Sequence, residues 1–152
     1  MKYRDYKIGF NYEVPDYYDE VREGSYEVFG VAPGTLHYFI MLDDEGEIVK
    51  NFSMSGQPVK DDKEYKQVVK EYIDGLQDVD FVLIKENQLT TDNGKTIDRF
   101  VLYDERLGEQ IGTLVYCMKV KDYALTSCAY IKEYYDIYEE ELFSIFNSIK
   151  EL

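Results

Sequence analysis

The sequence predicts an α+β fold: a three-layer α/β/α sandwich with a central antiparallel sheet of about six or seven strands and helices on both faces. Three observations lead there. An amphipathic helical repeat over 62–76 is followed by four strand-like runs joined by short turns, and then by a second amphipathic repeat over 135–150. Strands linked by tight hairpins pair antiparallel. Runs that are apolar at successive positions need cover on both sides, and two helices with one oily stripe each can supply it.

Each element has a local reason. Residues 6–14 alternate loosely and end at Pro15, which suits a first strand running into an irregular stretch. Asp16-Tyr17-Tyr18-Asp19-Glu20 is polar and aromatic, a loop or one helical turn. Residues 25–31 read as a strand closed by the Pro33-Gly34 turn. Residues 36–42 form a strong strand, apolar on both faces apart from His37. Asp43-Asp44-Glu45-Gly46 closes a hairpin onto 47–54, and Ser55-Gly56-Gln57-Pro58 breaks the pattern. In the helix over 62–76, Tyr65, Val68, Val69, Tyr72, Ile73 and Leu76 recur at three- and four-residue steps. Asp61 or Asp62 can cap its first amides, and Gly75 lies near its exit. Residues 81–84 are apolar in succession; Asp92-Asn93-Gly94 signals a hairpin into 96–103. Arg106-Leu107-Gly108 turns into 111–120, and Lys121-Asp122 turns into 123–131. The last helix places Tyr138, Leu142, Ile145, Phe146, Ile149 and Leu152 on one side, with Phe143 off that stripe. No repeat or linker divides residues 1–152, so one domain is expected.

Bulk properties narrow the function classes. With 152 residues, 45% of them apolar, the chain can bury a proper core. A formal charge of −14, from 31 acidic and 17 basic residues, opposes binding to nucleic acid or anionic lipid. It favours a protein partner with a basic surface, or cations, and equally serves solubility. The 16 tyrosines suit half-buried faces and interfaces, and are also a habit of sheet-rich proteins. No stretch approaches the ~20 apolar residues of a membrane span, and the opening residues show no export-type apolar run. The expected location is cytoplasmic, although an exported chain trimmed of its signal reads the same.

Four pieces resemble the PsbP-like superfamily. They are Tyr6-Lys7-Ile8-Gly9-Phe10 followed by Pro15, the helix carrying Tyr65, Val69 and Ile73, the strand Tyr123-Ala124-Leu125-Thr126-Ser127-Cys128-Ala129, and Leu142-Phe143-Ser144-Ile145-Phe146-Asn147-Ser148-Ile149. The last two look like that family's tyrosine–leucine–alanine strand and its terminal phenylalanine–isoleucine–serine helix. Ser127 departs from the pattern, standing where the family usually has a larger apolar residue. The resemblance implies a scaffold shared by the photosystem II extrinsic subunit and a Ran-binding nuclear import factor. Its members are mostly non-enzymatic docking or assembly proteins, and no binding motif of theirs carries over to particular residues here.

The residues themselves offer few chemical sites. His37 is the only histidine; a general base needs a positioned partner, and no serine or cysteine nucleophile pattern lies beside it. It reads as an ordinary strand histidine. Asp43, Asp44, Glu45 and Glu47 lack calcium-loop spacing and read as a solvated hairpin tip. Glu139-Glu140-Glu141 suits the positive end of a helix dipole. Cys117 and Cys128 face each other only if the hairpin loop holds four residues, 121–124, so reduced thiols are expected. Tyr17, Tyr18 and Asp19 form the candidate interaction patch, with a packed loop as the competing reading. The expected function is a non-catalytic protein-interaction or assembly module, monomeric or a weak homodimer, with no cofactor. The alternative is a small-ligand or divalent-cation binding protein.

Overall fold

The computed structural model describes residues 1–104, 106, 108–131 and 136–152. In chain order the strands begin with β1 (Lys2–Asp5), β2 (Phe10–Glu13) and β3 (Asp19–Glu20), followed by the short helix α1 (Tyr26–Phe29). Next come β4 (Thr35–Leu42), β5 (Ile48–Pro58) and the helix α2 (Asp62–Gln77). Four strands follow, β6 (Phe81–Thr90), β7 (Thr96–Asp104), β8 (Gly108–Val120) and β9 (Tyr123–Ile131), then α3 (Asp136–Asn147) and β10 (Lys150–Glu151). The fold class is therefore α+β. Seven strands make one sheet in the order β3-β4-β5-β9-β8-β7-β6, antiparallel at every pairing, and β1-β2-β10 make a small second sheet.

The core is divided by the sheet's own alternation. Leu142, Ile145 and Phe146 of α3 pack with Leu114, Tyr116 and Met118 of β8, and with Phe39, Phe52 and Leu125. Tyr65, Val69 and Ile73 of α2 pack with Val115 and Cys117 of β8, and with Leu102 and Ala124. Successive side chains of a strand point to opposite sides, so alternate residues of β8 feed the two clusters. Asp61 caps α2, its carboxylate accepting the Glu64 N–H at 2.9 Å. The helix runs past Gly75 to Gln77.

Some expectations were met differently. Residues 25–31 are not a strand: Glu23–Ser25 is a 3-10 turn leading into α1, which ends at Gly30 with φ 70°. Of the apparent alternation only Tyr26 is buried, packing with Tyr38 and Ile40, while Val28 is 85% exposed. A strand there would have had half a face and no core to put it on. The expected break at Ser55-Gly56-Gln57-Pro58 is also absent, because β5 continues through Pro58 in register with β9. The crossing at Gly56 is close, since a Cβ there would stand 2.6 Å from Ile8 Cδ1 and the Ile8 side chain would have to shift. The first strand is shorter than expected, residues 6–9 forming a turn with Gly9 at φ 96° between β1 and β2. At the far end α3 stops at Asn147 and the chain turns into β10, so Leu152 lies off the stripe, 57% exposed. Phe143 packs at the rim of the α3 cluster.

The β8–β9 hairpin turns on two residues, Lys121 and Asp122, with Val120 opposite Tyr123 and Lys121 at φ 52°. Cys117 therefore lies opposite Thr126 and Cys128 opposite Val115, and both are free thiols. Burial raises both thiol pKa values, that of Cys128 to about 11. Thiolate is the reactive form, so neither cysteine should alkylate with iodoacetamide at neutral pH until denaturant is added, after which both should. Rapid labelling of the folded protein at either position would contradict this packing. Phe146→Ala, at a fully buried site, should lower unfolding free energy by about 3–5 kcal/mol in urea titrations. Val28→Ala should change it by no more than about 0.5 kcal/mol.

Candidate functional site

The loop between β2 and β3 is where polar chemistry converges. Tyr18 N–H closes a turn onto the Pro15 carbonyl at 3.1 Å, and β3 pairs Asp19 with Ile40 and Glu20 with Phe39. This brings Tyr17 and Tyr18 to Lys50 of β5. Lys50 follows the period-two inward pattern of Phe52 and Met54, and only 4% of it is exposed. Its ammonium donates to both carboxylate oxygens of Glu141 on α3, at 2.7 and 2.9 Å. It also lies 5.1, 5.2 and 4.3 Å from the ring centroids of Tyr17, Tyr18 and Tyr138. Both tyrosine hydroxyls of the loop donate to Glu141, Tyr18 at 2.6 Å. The two rings stack with centroids 5.5 Å apart.

A buried ammonium thus has a carboxylate and three π faces in place of water. Each ring contributes about 0.5–2 kcal/mol, and removing one partner of such a pair costs about 3–5 kcal/mol because the other charge is stranded. Desolvation, and next the hydrogen bond to Glu141, raise the pKa of Tyr17 and Tyr18 above the ordinary phenol range. Of the expected patch, Tyr18 is core, whereas Tyr17 is 52% exposed and Asp19 is exposed beside it. Asp16, at the same loop, accepts from the Met1 ammonium at 2.8 Å, and that bond, followed by the charge, holds its carboxyl below the usual range.

Lys50 is absent from the residues the sequence points to, although a lysine in phase with Phe52 and Met54 is the available signal. The helix-dipole reading of Glu139-Glu140-Glu141 is also incomplete: Glu139 pairs with Arg99 of β7, and Glu141 with Lys50. His37 has a partner that sequence could not place, Asp5, whose Oδ1 lies 2.8 Å from Nε2. Asp5 is 3% exposed, and its Oδ2 accepts the Ile8 N–H at 2.7 Å, so this pair fastens β1 and the following turn to β4. The hairpin tip at Asp43 is organised internally, its Oδ1 accepting from the Glu45 and Glu47 amides at 2.9 Å. Among the described residues no three of His, Cys, Asp or Glu are arranged to hold a metal ion. A polar cleft of about 920 Å³ lies beside β1, β2 and the end of α3, and His37 does not line it. A smaller, more apolar groove of about 340 Å³ runs between α2 and β6–β7.

The fold is PsbP-like, by its likeness to two solved structures. The chain is similar to cyanobacterial PsbP (CyanoP) from Synechocystis sp. PCC 6803, with 16% identity, a TM-score of 0.65, and coverage of 100% of this chain and 92% of that one. It is similar to the Ran-binding protein Mog1p of Saccharomyces cerevisiae, with 10% identity, a TM-score of 0.61, and coverage of 99% and 94%. It also matches a Bacteroides thetaiotaomicron protein at 12% identity and a TM-score of 0.53, covering 99% of this chain but only 48% of that one. These identities establish shared architecture only. No known protein-family profile matches the chain, and no curated protein matches it.

Lys50→Met should lower stability by about 3–5 kcal/mol, and Lys50→Met with Glu141→Leu by less than the two singles summed, in a double-mutant cycle read by chemical denaturation. Additive losses would show that the two groups act independently. Alkaline titration offers a second check. Desolvation raises the pKa of Tyr12, Tyr18, Tyr65 and Tyr72, with Asp98 accepting from Tyr65 at 2.7 Å. A folded-state pKa above the unfolded value contributes stability that is whole below about pH 10 and is lost as pH rises toward the folded value. In absorbance titrations at alkaline pH, these four phenols should ionise only as circular dichroism is lost. Ionisation of all 16 tyrosines near pH 10 with the fold intact would contradict their burial.

Proposed function

We propose that this chain is a non-catalytic interaction or assembly module on a PsbP-like scaffold, docking a protein with a basic surface. In this reading α2 and α3 cover opposite faces of the main sheet as a three-layer sandwich, in keeping with the alternate use of β8 residues by the two clusters. The observation that carries the reading is Tyr17. It is half exposed yet held in place by stacking on Tyr18 and by its bond to Glu141, with Asp16 and Asp19 exposed around it. Tyrosine is enriched among interface hot spots, an ordered anchor loses little entropy on binding, and an acidic rim steers a basic partner. The structural likeness to a Ran-binding protein supports docking as a use of this architecture, without carrying a partner over. The alternative, a small-ligand or divalent-cation binder, has the polar cleft in its favour for the small-ligand branch.

Affinity capture from native cell extract, compared between the wild type and a Tyr17→Ala, Asp19→Lys variant, tests the docking reading. A partner retained by the wild type should be weakened about thirtyfold by the variant, corresponding to about 2 kcal/mol, and should elute as salt is raised. Melting temperature and circular dichroism confirm that the variant is folded. Equal retention by both proteins would overturn the assignment of this patch.

A further inference from the structure

The small sheet has two unlike faces. Phe10 and Tyr12 of β2 enter the core, and Asn11 and Glu13 point the other way. Register decides what joins them: Asn11 lies opposite Arg4 on one side and Lys150 on the other, and Glu13 lies opposite Lys2. Directly opposed residues share a face, so Arg4, Asn11 and Lys150 form a row across three strands spaced about 4.8 Å apart. The row is held firmly. Leu152 N–H bonds the Gly9 carbonyl at 3.1 Å, and Glu151 accepts from Lys95 and from the Lys121 amide.

Arg4 is braced for recognition. Its Nε donates to Asn11 Oδ1 at 3.0 Å, and its guanidinium carbon lies 5.9 Å from the Tyr6 ring centroid. Its two terminal amino groups have no partner among the described residues, and neither has the Lys150 ammonium. These cations border the cleft of about 920 Å³, which Asn93, Ser144 and Asn147 also line. Asp92, also at the cleft, is already engaged, its amide and carboxylate both bonded to Asn147. Glu13 lies 3.9 Å from Lys2. In a chain of net charge −14, three basic side chains and two carboxylates line this cleft, a local excess of cations among its lining residues. Charges farther off than about 8–10 Å are largely screened at physiological salt.

We propose that this cleft binds a small sugar or polyol bearing an oxyanion group, a phosphate ester or a carboxylate. The terminal amino groups of Arg4 take two oxygens of the oxyanion in the fork geometry that only a guanidinium offers, and Lys150 adds the second charge. Asn93 and Ser144 are placed to bond hydroxyls, while the exposed Tyr6 ring gives a flat apolar contact. The site shares no residue with the Tyr17 patch, so it stands or falls separately from the docking reading.

The test is amide-resolved NMR titration of the full chain with glucose 6-phosphate, glucuronate and glucose at low ionic strength. Expected is saturable binding of at least one of the two anions with a Kd of about 1 mM or tighter, with shifts confined to β1, β2 and the turn between them, β10, the β6–β7 turn and the end of α3, and no binding of glucose. Which anion binds identifies the head group. Arg4→Gln and Lys150→Gln, both at exposed positions, should each weaken binding at least tenfold with unchanged melting temperature, while Lys70→Gln on α2 should have no effect. Absence of shifts with both anions, equal binding of glucose, or an Arg4→Gln variant that binds like the wild type would overturn the proposal.

Discussion

The structure depends on strands β8 and β9 being apolar on both sides. A strand of that kind is stable only when each side is taken out of water, and at roughly 25 cal/mol per Å² the buried area is the main stabilising term available. Leu114, Tyr116 and Met118 belong to the cluster that includes Leu142, Ile145 and Phe146 of α3, while Val115 and Cys117 belong to the cluster that includes Tyr65, Val69 and Ile73 of α2.

Lys50 shows how polarity is accommodated inside that frame. β5 sits between β4 and β9, so any inward side chain on it is enclosed. An ammonium there requires Glu141 from α3 and the tyrosines of the β2–β3 loop to replace its hydration. Three elements distant in sequence are therefore tied to one charge, and the exposed face of Tyr17 is positioned as a by-product of satisfying it. The Asp5–His37 pair acts similarly for β1 and β4. In both cases the acidic partner lies far along the chain, which is why neither pair was visible in the sequence.

Much of the second half was legible because its signals were redundant. For α2, spacing and cap agreed; for the hairpin at Asp92-Asn93-Gly94, turn chemistry and flanking apolar runs agreed. The first half misled where a single cue stood alone. Tyr26 and Val28 imitate a strand by alternating, but only tertiary packing against Tyr38 distinguishes the inward member from the exposed one. Gly56 and Pro58 look like a strand break, and the reason they are not lies in the neighbouring strand β9 and the tight approach of Ile8. Tyr17 and Tyr18 are adjacent in sequence and alike in type, yet one is core and the other half exposed. Which of them faces water follows from Lys50, three strands of chain later.

The main sheet ends at β6, whose outer edge no other strand in the order covers. Its pairing with β7 slips between Leu83 and Lys85, leaving Ile84 59% exposed at the irregularity. An unpaired ladder is a template for strand addition by other chains, and a kink bearing a lysine is a common safeguard. Straightening the edge, by removing the slip or replacing Lys85 with an apolar residue, would make β6 a better template for polymerisation through added strands.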